Sequence, residues 1–391
     1  MDIAWTSLLR NGQLQKKPTT VQESTAHARL RFDVEQELHG LFTRSRATAS
    51  GYGPELTRLL SLTERQIQGG KLLRPLLLLE THRALQGAHE TAPSGLQAYR
   101  RRAPEHAEVV RIAAGIEALH AAFLLHDDVI DGDVVRRGQP NLIGELAAPS
   151  DTEARPGAAR HWAQTGGILA GNLLLSAAHQ LFARAALPAH LRIRLLDLLE
   201  HTILETTAGE FTDVGLSDGI VTPDLSTVLA MTRQKTASYS FELPLRAAVI
   251  LADGSAELEA RLRAAGSHLG VAYQLQDDLL SAFGDARTHG KDPYSDLREG
   301  KQTAIVCFAR MSSAWPQLAA DFGDPHLSFE GAERLRSGLR DCGAEAFVRG
   351  LIQDQLTAFD ALLSDGEAGA IPPAVADVLR ALIARIDGRQ S

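Results

Sequence analysis

The run from Ile116 to Gly138, IEALHAAFLLHDDVIDGDVVRRG, sets the carboxylates of Asp127, Asp128 and Asp131, two histidines and the adjacent Arg136 and Arg137 behind an apolar stretch. At about 100° per residue, His120, Phe123, Asp127 and Asp131 fall in one sector of a predicted helix, with Leu124 beside them and Asp128 at the edge. That face turns from apolar to acidic along its length. Clustered carboxylates repel one another, and buried ones are costly, unless cations neutralise them. Oxygen-only ligands one turn apart suit Mg²⁺, which prefers octahedral oxygen coordination, keeps waters and bridges one or two carboxylates to substrate phosphates. Arg136 and Arg137 then read as diphosphate clamps. The plainer alternative is a solvated acidic helix end followed by a basic turn. The apolar residues just ahead of the acids weigh against it, because they predict a helix buried up to the point where charge begins.

Three further segments carry residues of the same chemical kind. In YQLQDDLLS, Gln274, Asp277, Asp278 and Ser281 are spaced three, four and seven apart and share one side of a predicted helix. Lys291, Asp296 and the run Gly300-Lys301-Gln302-Thr303 follow. In GGKLLRP, two glycines precede a helix start, and Lys71 and Arg74 stand three apart. Such a start offers an anion seat, since backbone amides and the positive helix end add to the two cations. An ordinary glycine loop fits the same residues. His120, two turns before Asp127, reads on its own as a core histidine or as a ligand, and His126 points away from the acids and is read as structural. Lys235-Thr236 is too short a motif to argue from alone.

Taken in order, GGKLLRP, His120 with Asp127-Asp128-Val-Ile-Asp131 and Arg136-Arg137-Gly138, Lys235-Thr236, Gln274-Leu-Gln-Asp277-Asp278, Gly290-Lys291 and Gly300-Lys301-Gln302-Thr303 resemble the polyprenyl synthetase family, the trans-isoprenyl diphosphate synthases. The resemblance runs from about residue 30 to the carboxyl end. It implies an all-α, single-domain helical bundle around a central cavity, working as a homodimer on isopentenyl diphosphate and an allylic diphosphate. It also implies a cluster of three Mg²⁺ ions on the allylic diphosphate, held by Asp127, Asp131 and Asp277 with Asp128 and Asp278 in support. Arg136, Lys235, Thr236, Gln274 and Lys291 would complete that cage. Lys71, Arg74, His120 and Arg137 would hold the second diphosphate, and Lys301 would help close the carboxyl-terminal side. Product length would be set below the first aspartates by Leu119, Ala122 and Phe123, one large residue and one small at the floor, which favours C20 over C15. Three positions depart from the family pattern: Ser281 where a third aspartate is usual, Glu210 in GEFTDV where glutamine is usual, and Asn172 where aspartate is usual.

Composition agrees with a large helical protein. Of 391 residues, 44% are hydrophobic and only 5% aromatic, and alternating strand-like runs are scarce. Helices are expected over roughly 23–47, 52–67, 71–87, 105–131, 160–186, 189–215, 223–252 with a break near Pro244, 255–283, 300–314, 329–365 with a break near Gly343, and 373–387. Residues 1–22 read as a loosely ordered extension, residues 23–391 as one prenyltransferase domain, and Gln86–Pro104 and Ala147–Gly157 as insertions or loops, with Arg100 to Arg102 in the first. The net charge of −8 argues against a nucleic-acid partner. No unbroken run of 18 apolar residues marks a membrane span, and the amino terminus lacks a signal-peptide pattern, so a cytoplasmic location is expected. Cys307 and Cys342 give neither a disulfide framework nor a zinc site.

Two other functions fit part of this pattern. A class I terpene cyclase also ionises a prenyl diphosphate from an acidic helix, and Asn172 to Gln180 approaches that group's second metal motif, but GGKLLRP and Arg137 imply a second substrate. A non-catalytic partner subunit of a prenyl synthase would be expected to lose its aspartates, and both pairs are present.

Overall fold

The computed structural model describes residues 21–90, 104–136, 138–148, 157–284, 294–366 and 369–387. These are almost wholly helical: α1 (Val21–Ala49), α2 (Pro54–Ile67), α3 (Leu73–Glu90), α4 (His106–Asp131), α5 (Leu142–Ala147), α6 (Ala158–Ala183), α7 (Ala189–Ser217), α8 (Leu225–Thr232), a π-helical segment (Arg233–Glu242), α9 (Leu243–Leu251), α10 (Ala256–Phe283), α11 (Ser295–Arg298), α12 (Ala304–Arg310), α13 (Trp315–Leu318), α14 (Phe329–Asp341), α15 (Ala344–Ser364) and α16 (Pro373–Asp387). The fold class is all-α, as expected. The strands among the described residues are β1 (Val135–Arg136) and β2 (Gln139–Pro140), paired antiparallel with Arg136 opposite Gln139.

Helix starts follow side chains that satisfy exposed amides. Asp224, Ser255, Thr303 and Ser328 each accept a hydrogen bond from a backbone N–H three residues on. The expected break at Gly343 is present, with that residue in the left-handed region between α14 and α15. The break expected at Pro244 lies earlier. Proline has no N–H to donate, so the ladder is already irregular before it: the amide of Leu243 donates to Ser238 O, five residues back, and Pro244 enters the first turn of α9, where no N–H is needed. The helix expected over 300–314 is confined to Ala304–Arg310 by the turn at Gly300 and the cap at Thr303. In the first expected insertion, α3 continues to Glu90. Residues 91–103, including Arg100 to Arg102, and 149–156 lie outside the described residues, as do residues 1–20 of the expected extension.

The described residues divide into two compact units, one within Pro18–Leu199 with Ala247–Asp253, the other within Glu200–Arg246 and Gly254–Ser391. In the first unit the main pairing is α4 on α6. The helices approach closely because glycines stand at the crossing. A Cβ at Gly115 would lie 2.8 Å from the ring of fully buried Phe182, and one at Gly171 would lie 2.2 Å from His126 Nε2. His126 is therefore spent on packing, as read from the sequence. Ile112, Ile116 and Leu119 on α4 are completely buried. By length and mean hydropathy α4 would suffice to cross a membrane, but 72% of its most apolar window is buried within the fold. Scattered charges such as Glu108 and Glu117 keep it from being an unbroken apolar run.

In the second unit α10 packs against the π-helical segment on one side and α15 on the other. Leu216 at the end of α7, Val228 and Met231 on α8, and Cys307 on α12 form a small buried cluster beside them.

Candidate active site

In the first unit, α4 carries its apolar face up to a charged end. Asp127 is part-buried, Asp128 is almost wholly buried and Asp131 is exposed. The positive charge required there comes from Arg136. Its Nε donates to Asp128 Oδ1 at 2.9 Å and its Nη2 donates to Asp127 Oδ2 at 3.2 Å and also to Asp128 Oδ1. Burial pushes the Asp128 carboxyl up from its ordinary range, and the guanidinium opposes that shift without cancelling it. Asp128 and Arg136 thus form a paired foundation, and Asp127 and Asp131, one turn apart, are the carboxylates nearer solvent.

Arg136 reaches this position because β1 and β2 fold the chain back after α4. Asn141, 1% exposed, anchors the hairpin: its Nδ2 donates to Asp133 O at 2.9 Å, its N–H donates to Val134 O at 3.1 Å, and its Oδ1 accepts from Gly144 N at 2.9 Å. Arg137 lies outside the described residues.

The glycine loop lies in the same unit. Gly69 adopts φ +76°, a region that glycine enters without strain. Arg31, from α1, donates to Gly70 O at 2.8 Å and to Lys71 O at 3.0 Å, fixing the loop backbone across a sequence distance that spacing does not reveal. A Cβ at Gly70 would stand 3.6 Å from Glu117 Oε1. The loop therefore approaches α4 one turn before His120; Lys71 is exposed, and Arg74 and His120 are part-buried. Leu119 and Ala122 are fully buried. Phe123, four residues before Asp127, keeps part of its surface accessible.

In the second unit a cleft is lined by Asp213, Lys235, Thr236, Gln274, Asp278, Lys301, Gln302 and Thr303, with Val228, Met231 and Thr232 beneath. The sequence-predicted residues are linked in a chain of hydrogen bonds. Thr236 Oγ1 donates to Gln274 Oε1 at 3.0 Å, and Gln274 Nε2 donates to Asp278 Oδ1 at 2.9 Å. Burial raises the Asp278 carboxyl to about 7, with Lys301 opposing the rise. Lys301 itself is pushed above the usual ammonium range. Burial alone would lower it, and the carboxylates of Asp296 and Asp213 more than compensate. Asp277, next along the helix, is part-buried, as is Ser281. Lys291 lies outside the described residues.

Lys235 is held by acids that sequence reasoning did not assign to it. Its Nζ lies 2.7 Å from Asp213 Oδ2 and 2.9 Å from Glu210 Oε2. Both carboxylates come from α7. The π-helical segment presses on that helix so tightly that a Cβ at Gly209 would fall 2.3 Å from Lys235 N, while on its other side a Cβ at Gly270 would fall 2.4 Å from Ala237 Cβ. The widened turn that displays Lys235 and Thr236 is seated between two helices at positions where no side chain fits. Asp213 and Glu210 stand in GEFTDV, and only the departure at Glu210 signalled them. Asn172 is exposed on α6.

No group of three or more His, Cys, Asp or Glu side chains is gathered to hold a metal among the described residues. The donors present are oxygen-only: Asp127 and Asp131 stand one turn apart on α4, and on α10 Asp277 is part-buried while its neighbour Asp278 is buried and bonded by Gln274. That suits Mg²⁺ completed by waters and substrate phosphates rather than an all-protein cage. The carboxylates therefore fit the implied ion as a shared ligand with a diphosphate.

Comparison with known proteins agrees with this chemistry. The polyprenyl synthetase family model matches residues 57–320. A geranylfarnesyl diphosphate synthase of Aeropyrum pernix is 32% identical over 71% of this chain and 77% of its own length. A geranylgeranyl diphosphate synthase of Sulfolobus acidocaldarius is 31% identical over 61% of this chain and 62% of its own. Among solved structures, geranylgeranyl pyrophosphate synthase of Corynebacterium glutamicum, complexed with isoprenyl diphosphate and magnesium, is 28% identical, with a TM-score of 0.79 covering 91% of this chain and 97% of that one. With its ordered motifs and all-α fold, the chain belongs to the polyprenyl synthetase family and is a prenyl-transferring enzyme.

Proposed function

We propose that the enzyme condenses isopentenyl diphosphate head-to-tail with an allylic diphosphate to give a medium-chain isoprenyl diphosphate, C20 favoured over C15. The observation that carries this reading is the closeness of Gly70 to Glu117, where an added Cβ would stand 3.6 Å from Glu117 Oε1. It brings the cationic loop to the helix of His120 and Asp127, so that one unit holds both a cationic anion seat and an acidic metal-type end, as two diphosphate substrates require. The named relatives that make geranylgeranyl and geranylfarnesyl diphosphates support a product of C20 or longer.

In this reading Asp127, Asp131 and Asp277 would hold Mg²⁺, three ions in all, with Asp128 and Asp278 in support. The bound metal would supply charge neutralisation of the leaving diphosphate. Arg136, Lys235, Thr236, Gln274 and Lys291 hold and orient the allylic diphosphate, and Lys301 lends positive charge from the carboxyl-terminal side. The allylic C–O bond breaks with its electron pair going to diphosphate, the terminal double bond of isopentenyl diphosphate attacks the resulting cation, and a proton leaves to the departing diphosphate. Preorganised cations contribute because charge develops on that oxygen as the bond breaks. Lys71, Arg74, His120 and Arg137 hold the second diphosphate. Phe123, the accessible member of the three chain-length candidates, forms the floor, with Leu119 and Ala122 behind it.

Residues 23–391 are proposed to act as one prenyltransferase domain in a homodimer. Trp162, Leu169 and Leu173 share a sector of α6, each about half exposed, and this apolar face suits a second copy of the chain. The free thiols Cys307 and Cys342 accord with a cytoplasmic location. The test is to incubate purified protein with Mg²⁺ and geranyl or farnesyl diphosphate, with and without isopentenyl diphosphate, and to read products by mass spectrometry. Chain elongation only when isopentenyl diphosphate is present is expected. A hydrocarbon or alcohol formed without it would indicate a terpene cyclase, and no turnover by the protein alone would indicate a partner subunit.

A further inference from the structure

The ammonium of Lys235 is bonded by two carboxylates where one would balance its charge. Glu210 and Asp213 are three apart on α7, so both leave one face of that helix, and the close approach at Gly209 fixes the backbone of Lys235 opposite them. All three side chains are largely removed from water, with 18% of Lys235, 20% of Glu210 and 9% of Asp213 exposed. In that setting charge-assisted hydrogen bonds are strong. The second oxygen of Asp213 is buried and has no hydrogen-bond partner among the described residues, so this carboxylate is not saturated by its own surroundings. Among the described residues, Lys235 and Lys301 line the cleft with Asp213 and Asp278, Glu210 lies against Lys235, and Asp296 raises Lys301 with Asp213.

We propose that Glu210 makes diphosphate binding at Lys235 conditional on divalent metal: it occupies the ammonium as a resident counter-anion, so a bare diphosphate meets surplus negative charge, whereas a metal-bound diphosphate brings its own neutralisation. This rests on the reading of Lys235 as a ligand of the allylic diphosphate. Glu210 is then a specificity-determining residue that rejects uncomplexed diphosphates, and glutamine at this position would keep the shape and hydrogen-bonding reach while removing the charge.

The experiment is calorimetric titration of inorganic diphosphate into the full chain, with EDTA and with Mg²⁺, for the wild type, Glu210→Gln, Glu210→Ala and the double variant Glu210→Gln/Lys235→Ala, each checked for helical content. Glu210→Gln should bind diphosphate about ten- to a hundredfold more tightly than the wild type in EDTA, the scale of one charge-assisted hydrogen bond. Its affinity in Mg²⁺ should move much less, Glu210→Ala should share the metal-free gain, and the double variant should lose it. Unchanged metal-free affinity, an equal gain in both conditions, or a gain that survives loss of Lys235 would overturn the proposal while leaving the synthase reading intact. Failure of the wild type to bind diphosphate even with Mg²⁺ would overturn both.

Discussion

Gly209→Ala tests the seating of the Lys235 turn. In an ordinary helix interior this substitution stabilises by up to about 1 kcal/mol, because glycine loses more backbone entropy on folding. At Gly209 the added Cβ would meet Lys235 N at 2.3 Å and Gln234 C and Lys235 Cα at 2.8 Å, whereas ordinary contact begins at 3.4 Å. All three atoms are backbone, so no side chain can rotate away, and the π-helical segment must move by about 1 Å. Overpacking of this kind costs about 1–3 kcal/mol, which exceeds the propensity gain. A 1 Å displacement of substrate-positioning groups costs about a hundredfold in rate. Urea unfolding should therefore show a lowered midpoint, and steady-state assays a loss of about two orders of magnitude in kcat/KM. Gly350→Ala is the control. It lies exposed on α15 with nothing within 4 Å of the added Cβ, and should be neutral or stabilising with full activity. If Gly209→Ala behaved like Gly350→Ala, the close packing of the π-helical segment on α7 would be refuted.

Asp127→Ala should abolish Mg²⁺-dependent turnover while circular dichroism and the thermal midpoint stay near wild type, because the buried pairing of Asp128 with Arg136 is left in place. Phe123→Ala should shift the product distribution, read by mass spectrometry, to longer chains, and an unchanged distribution would remove Phe123 from the floor. His82, 5% exposed, is held down at about 4 by burial, with the backbone hydrogen bond involving Leu251 offsetting only part of that shift. Its unfolded value near 6.5 lies above the folded one, so the stability it contributes is present above pH 6.5 and is lost as pH falls towards 4, a loss of about 3 kcal/mol. His82→Gln should flatten the dependence of urea stability on pH across that window, and a slope equal to wild type would contradict the assignment.

Features set by local spacing were legible in the sequence. Asp127 and Asp131 one turn apart, the glycine start at Gly69 and the row from Gln274 to Asp278 are short-range patterns, and the helices that carry them begin and end within a few residues of expectation. Contacts made across long sequence distances were not legible. Arg31 bracing the glycine loop is an example, as is Asp213 sharing Lys235 with Glu210. Pro244 announced an irregular helix but not its place, because a missing N–H can be absorbed by a wider turn upstream. The hairpin that delivers Arg136 is two residues long on each side, too short for an alternating pattern, and its anchor at Asn141 looks like any turn residue. Arg136 itself was read as a clamp on substrate. In the structure its guanidinium is bonded to the carboxylates of Asp127 and Asp128.

Asp127 on α4 and Asp277 on α10 are each proposed to bind metal ions that accompany diphosphate. Electron paramagnetic resonance titration of Mn²⁺ into the protein with and without inorganic diphosphate measures this directly. Diphosphate should raise the number of bound Mn²⁺ ions, and Asp127→Ala and Asp277→Ala should each remove part of that increment. An increment untouched by Asp277→Ala would contradict the role proposed for Asp277.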